Sequence, residues 1–240
     1  MQLRWILVLL LFLPGFFIQA QQEEEVEDLD RIVIIDLGFN LGNALFPFDR
    51  AAPELMAGGE LGFYFQLEAD QPYAVGIDFT YNYVGGHSVE FPEIIDGVTF
   101  DLRERANTHM ISLLPSVRLY PNWQLGKLKP YFQASLGAKI FFTDTHLYDI
   151  SGGGAEVSEY DIQDSSVSWS YGGTIGVNID LGSFVFLNAR IGITPGVSAP
   201  VYGKLPEDEI PNSDFAIDAF RRINTTTPMM RYGIGVSFFL

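Results

Sequence analysis

The chain has 240 residues, with 14 basic against 30 acidic side chains for a formal net charge of −16, and it contains no cysteine. That charge repels phosphate backbones, which argues against a nucleic-acid partner and against a simple polybasic grip on lipid phosphates. Without thiols there are no structural disulfides, no cysteine nucleophile and no lipoprotein anchor, and the length suffices for one domain.

Near the start of the chain stand Arg4, an apolar stretch from Trp5 to Phe17, and Ile18-Gln19-Ala20 ending in a small residue. This is the layout of a secretory signal, so residues 1–20 are expected to be cleaved on export. The apolar stretch falls short of the roughly 20 residues a membrane-spanning helix needs. Residues 21–31, which include Glu23-Glu24-Glu25, read as an acidic, disordered periplasmic tail.

From residue 32 to 240 the dominant signal is a period of two. In Val167 to Leu181, Val167, Trp169, Tyr171, Ile175, Val177, Ile179 and Leu181 alternate with Ser168, Ser170, Gly172, Thr174, Gly176, Asn178 and Asp180. Side chains alternate faces along a strand, so one face is bulky and apolar and the other small and polar. The same pattern predicts strands over Ile32–Asn43, Leu55–Leu67, Tyr73–Val84, Thr108–Tyr120, Tyr131–Thr143, Val167–Leu181, Phe184–Thr194 and Met229–Leu240. Connections two, four and six are tight, and Gly182-Ser183 suits a type II′ turn with glycine first. The others are long: Ala44–Glu54, Gly85–Asn107, Asp144–Ser166 and Pro195–Pro228. In the last of these, Ser213 is a candidate cap for a helical turn over Asp214 to Arg222, although an irregular loop fits slightly better.

Eight strands joined by alternating short and long connections predict an all-β fold, an eight-stranded antiparallel up-and-down transmembrane β-barrel. The even number places both termini in the periplasm. A soluble, ligand-binding barrel would turn the bulky face inward. Two features oppose it. The small face carries few charges, whereas a soluble exterior carries about 25–35%. Aromatics also collect near both strand ends, with Tyr81, Tyr83, Trp169, Tyr171 and Tyr232 at one and Phe65, Tyr73, Phe132 and Phe238 at the other. Two aromatic girdles mark a lipid-facing barrel.

The inward parity collects Asp36, Glu60, Asp78 and Asp180 with Arg118, Lys139, Arg190 and Arg231. Unpaired charges are costly in a narrow, low-dielectric interior, so most of these are expected to form an ion-pair network that fills the lumen. Asp180 is the exception, because it abuts the Gly182 turn. Pro115 removes a ladder donor from the fourth strand, where a bulge is expected. On the last strand Tyr232, Ile234, Val236, Phe238 and Leu240 share the lipid face. Their pattern resembles the C-terminal signal read by the barrel-assembly machinery, with Leu240 standing where that signal usually has Phe.

Leu114-Pro115-Ser116-Val117-Arg118-Leu119-Tyr120, Gly126, Lys129-Pro130-Tyr131-Phe132, Ala134 and Leu136-Gly137 carry a wider likeness. This stretch resembles the outer-membrane β-barrel family of Bacteroidetes-type bacteria often labelled PorT-like, similar in architecture to the OmpX and OmpA membrane domains. The resemblance implies an integral outer-membrane barrel without assigned chemistry; the PorT protein of that family is linked to a secretion system, but no motif in this chain carries that role.

Enzymatic barrels place a Ser or Asp with a His at the rim. The three histidines, His87, His109 and His146, all fall near the long connections, with His146 close to Asp144 and Asp149. Their spacing matches no catalytic pattern, and loop histidines are the simpler account. Asp149, Glu156, Glu159, Asp161 and Asp164 surround Gly152-Gly153-Gly154. They fit no EF-hand and read as a solvated acidic loop; a weak divalent bridge to lipopolysaccharide phosphates is the sharper alternative. The chain is therefore expected to be a non-enzymatic outer-membrane barrel without a cofactor. Its expected role is envelope integrity, adhesion or assistance to an envelope complex. Its expected partners are outer-membrane lipid, lipopolysaccharide and, during biogenesis, the barrel-assembly machinery. A narrow conduit for small or hydrophobic molecules and a rim-active lipid A-modifying enzyme are the alternatives.

Overall fold

A computed structural model describes residues 32–66, 71–95, 98–122, 125–151, 155–156, 161–182 and 184–240. The expected signal segment, the acidic tail, Gly152-Gly153-Gly154 and Glu159 lie outside the described residues. Eight strands make the barrel: β1 (Ile32–Ala44), β2 (Met56–Gln66), β3 (Tyr73–Ile95), β4 (Val98–Leu119), β5 (Leu128–Asp149), β7 (Asp161–Gly182), β8 (Val185–Thr194) and β11 (Met229–Phe239). A two-residue β6 (Ala155–Glu156) pairs with the far end of β5. The hairpin of β9 (Ala199–Lys204) and β10 (Phe220–Thr225) occupies the last long connection.

Neighbouring barrel strands run antiparallel in the order β4-β3-β2-β1-β11-β8-β7-β5, and the β4–β5 pairing closes the ring. Closure of first strand on last is continuous from Ala44–Met229 to Ile34–Phe239. Leu240 extends it by exchanging two backbone hydrogen bonds of 2.8 Å with Val33. No sheet edge is left along this seam, as a barrel in lipid requires.

Period two explains which way each strand faces. Along β1, Leu37, Phe39 and Leu41 are exposed while Ile34, Asp36 and Asn40 are buried. Along β7, Val167, Trp169, Tyr171 and Ile175 are exposed while Ser168, Ser170 and Asn178 are buried. A surface on which Phe39 is 78% and Trp169 65% exposed is stable only against lipid.

Three features depart from the sequence reading. β3, β4, β5 and β7 run well past their predicted ends, because much of connections three and five is sheet ribbon rather than loop: β4 pairs there with β3 on one side and with β5 as far as Leu102–Asp149 on the other. The ribbon is charged on its solvated faces, with Arg103 Nη2 2.5 Å from Glu90 across β3 and β4. Second, the helical turn considered over Asp214 to Arg222 is only a 3-10 turn, Ala216–Ala219, followed directly by β10. Its N-cap residue is Phe215, not Ser213, and no side chain caps it; Ser213 lies just before, accepting the Phe215 N–H at 3.1 Å and donating to Asp218 at 2.6 Å. Third, Pro115 causes no bulge. Its register with β3 and β5 is unbroken; the ladder to β5 simply lapses between Leu113–Ala138 and Ser116–Ser135. Register shifts occur instead at Tyr83/Gly85, Thr143/Asp144 and Asp180/Gly182. Gly182 has φ +112, a value only glycine adopts without strain, as its turn position requires.

The interior is layered. At the end bearing the long connections, Phe48, Met56, Met110, Phe141, Val201 and Met229 form an apolar cluster, with Ile223 of β10 packed on it. Ile34, Tyr64 and Ala74 form a smaller cluster toward the tight-turn end, against Tyr120 and Phe239. Charged and amide side chains fill the space between.

Candidate functional site

The centre of the barrel is built from inward positions of seven strands, all but β7. Arg118 of β4 is fully buried, and its guanidinium is stacked between two rings, 3.8 Å from the centroid of Tyr64 and 4.2 Å from that of Tyr131. Its edge donates to Asp36 at 2.8 Å, to Gln133 Oε1 at 3.0 and 3.1 Å, and to the Tyr120 hydroxyl at 3.3 Å. A planar guanidinium can stack by its faces and donate from its edge at once, which an ammonium cannot.

Arg190 of β8 occupies the neighbouring level. Nε donates to Glu60 Oε1 at 3.1 Å and Nη2 lies 2.9 Å from Oε2, while Nη1 sits 3.5 Å from Asp36 and 3.6 Å from Asp78. Arg231 adds a longer approach to Glu60, 3.8 Å. Three guanidinium groups thus face three carboxylates. The carboxylates are held further by neutral donors: Ser237 to Asp36 at 2.6 Å, and the Tyr64 hydroxyl and Ser116 to Asp78 at 2.5 and 3.1 Å. Gln133 Nε2 also donates to Asp78. Buried charges are tolerable when opposite charges and neutral donors surround them, and here each carboxylate has both a guanidinium within 4 Å and, for Asp36 and Asp78, hydroxyl donors besides.

Lys139 corrects the sequence reading. It is fully buried, but its Nζ donates to two backbone carbonyls, Thr194 and Thr227, at 2.6 Å each rather than to a carboxylate. Its Nζ lies where the last residue of β8 and the link between β10 and β11 supply these two carbonyls as acceptors. Asp180 stands apart from the central group and accepts the Gly182 N–H at 2.8 Å. Tyr64, Tyr131 and Gln133 were missed. An aromatic or amide on a parity otherwise small and polar was the available signal: Tyr64 shares its parity with Glu60 and Gly62, and Tyr131 with Gln133 and Lys139.

The histidines converge more than their spacing suggests. His109 Nε2 lies 3.0 Å from Asp144 Oδ2, His146 Nε2 lies 3.5 Å from Oδ1, and the Tyr81 hydroxyl is 2.6 Å from His109 Nδ1. The register shift at Thr143/Asp144 turns this carboxylate, 2% exposed, toward both rings. His109 is stacked between Tyr81 and Phe142 in the aromatic belt. Its two nitrogens face a phenol and a carboxylate rather than a serine. Among the described residues no group of three or more His, Asp or Glu side chains converges into a metal site. Asp164 of the acidic loop lies 3.5 Å from Arg222.

On the last strand Tyr232, Ile234 and Leu240 are exposed, and Val236 and Phe238 half-buried.

Residues 8–219 match the family described as the outer membrane protein beta-barrel domain, and the chain belongs to that family. It is therefore an integral β-barrel protein of the bacterial outer membrane. The chain is similar to OprG of Pseudomonas aeruginosa at 14% identity and TM-score 0.43, covering 87% of this chain and 95% of that one. It is similar to outer membrane protein W of E. coli at 13% identity and TM-score 0.41, covering 89% and 100%. Ail, the attachment invasion locus protein of Yersinia pestis, is similar at 12% identity and TM-score 0.40, covering 88% and 100%. No curated protein sequence matches the chain.

Proposed function

We propose that this protein is a non-enzymatic, non-conducting outer-membrane barrel. In this reading its lumen is filled by its own polar network, and its long acidic connections form an external platform. The supporting observation is the central group of Arg118, Arg190 and Arg231 with Asp36, Glu60 and Asp78, contributed by β1, β2, β3, β4, β8 and β11. An eight-stranded barrel is just wide enough inside for side chains to fill it. The space left beside Glu60, Gln133, Arg190 and Arg231 is about 10 Å³, roughly one water. The apolar cluster around Phe48, Met110 and Val201 forms a second closure at the mouth.

The long connections face outward, while the start of β1, the end of β11 and the tight turns face the periplasm, the usual arrangement of bacterial barrels. The outward row Tyr232, Ile234, Val236, Phe238 and Leu240 presents the final strand to the barrel-assembly machinery during biogenesis. The role that follows is envelope integrity, adhesion or support of an envelope complex, carried by the external loops rather than by transport.

The test is planar-bilayer recording of the folded full chain. The expected record shows no discrete conductance steps. Regular ohmic steps from the unaltered protein would replace this reading with that of a conduit.

A further inference from the structure

A cavity of about 980 Å³ lies at the long-connection end, outside the central network. It opens where the wall parts. β2 and β3 are paired from Phe65–Val75 as far as Gly58–Asn82, whereas β3 continues alone on that side to Ile95. Above Gly58 the first long connection lines one side of the gap and Tyr83–Gly86 of β3 the other. Exposed Leu55 and Tyr83 and buried Val84 all line it, so the space runs from the lipid-facing surface into the apolar cap. Ile223 of the β9–β10 hairpin closes its back. Its lateral mouth sits at the aromatic belt, one turn of the pleat from Tyr81, where headgroups meet acyl chains.

Its charge is the opposite of the chain's. Arg50, Lys204 and Arg221 line it against Asp49 and Glu207, in a protein whose net charge is −16. Arg221 is also 3.8 Å from Glu209 across an exposed surface, a contact weak enough to be exchanged for a stronger anion. A cavity of this size with mostly apolar walls and a few convergent polar groups is the usual form of a ligand site.

We propose that this cavity binds one phosphate-bearing membrane lipid, which enters sideways between β2 and β3. The phosphate meets Arg50, Lys204 and Arg221, and an acyl chain lies against Leu55, Val84 and Ile223. A neutral lipid offers the cations no phosphate, and free phosphate leaves the apolar walls wet, so both parts of the ligand are read. The site is independent of whether the lumen conducts.

Native mass spectrometry of the folded full chain in detergent tests this, with didecanoyl phosphatidic acid as probe. Didecanoylglycerol and inorganic phosphate serve as the two half-ligands. Phosphatidic acid is expected to saturate at one per barrel. The Lys204→Gln/Arg221→Gln pair is expected to weaken it about thirty-fold, in line with roughly 1 kcal/mol for each of the two basic residues near a charged membrane surface. Gly85→Trp fills the entrance, since a Cβ there meets no atom within 4 Å, and is expected to abolish binding. Heat-shifted gel mobility identifies folded variants; if Gly85→Trp does not fold, the charge pair decides. Equal binding of didecanoylglycerol, an unaltered charge-pair variant, or full displacement by millimolar inorganic phosphate would each overturn the proposal.

Discussion

Arg190 meets Glu60 with two contacts in the middle of the barrel, 3.1 Å from Nε and 2.9 Å from Nη2, although 130 residues separate them in the chain. The third guanidinium nitrogen lies within 3.6 Å of both Asp36 and Asp78. One side chain therefore ties together carboxylates from β1, β2 and β3. Removing it leaves the buried carboxylates short of a cation, which costs more than removing a matched pair. Arg190→Leu is expected to lose about 3–5 kcal/mol in urea unfolding of the detergent-held barrel. Adding Glu60→Leu to it is expected to restore a large part. A single Arg190→Leu variant as stable as the parent and equally non-conducting would remove the network's support.

The Arg118 stack depends on a glycine. A Cβ at Gly176 would lie 2.3 Å from Tyr131 Cζ, so the absent side chain is what lets that ring lie flat over the guanidinium. Gly176→Ala is expected to cost about 1–3 kcal/mol by overpacking. The same change in a Tyr131→Leu background is expected to cost much less, because the clashing ring is gone. Urea midpoints of the four variants measure the coupling; additive costs would show that the ring and the glycine do not act as a unit.

How much of this was legible beforehand varies by element. The β7 alternation from Val167 to Leu181 is enough to place the strand and its lipid face, because period two survives any detail of packing. The inward charges were legible for the same reason. Their partners were not, since Arg190 and Glu60 are brought together by closure of the ring, which no local pattern encodes. Lys139 has the parity of the network but finds carbonyls of Thr194 and Thr227, an acceptor type that sequence does not display. The ribbon from Gly85 to Asn107 reads as loop because its outward residues meet water, so Glu90 and Arg103 stand where lipid-facing strands carry apolar residues. The cap hairpin was hidden by β9 and β10 being six residues each.

The Asp144 cluster separates a structural role from a catalytic one. Asp144→Ala removes the acceptor of both His109 and His146 and is expected to destabilise the barrel by about 1–3 kcal/mol. In cells, His109→Ala is expected to leave the lipid A mass spectrum as it is in the parent. A spectrum that changes on deletion of the protein and again with His109→Ala would make the Tyr81–His109–Asp144 chain a lipid-modifying site.

His87 reports on the mouth of the cavity. It lies on the ribbon beyond the membrane, where burial and then the nearby Lys204 ammonium push its pKa below the ordinary histidine value, with Glu207 opposing them. The folded protein therefore holds fewer protons at this site than the unfolded chain does as pH falls through about 6.5. The contribution is present in full above that value and is lost as acidification reaches the lower folded pKa. Carbon-detected NMR titration of His87 in the detergent-held barrel is expected to give a midpoint below 6.5 for this reason. Lys204→Gln is expected to move the midpoint upward, while Lys129→Gln, at the opposite end of the barrel, leaves it in place. A midpoint indifferent to Lys204→Gln would mean that this ammonium points away from the cavity, and the charge assigned to its rim would fall with it.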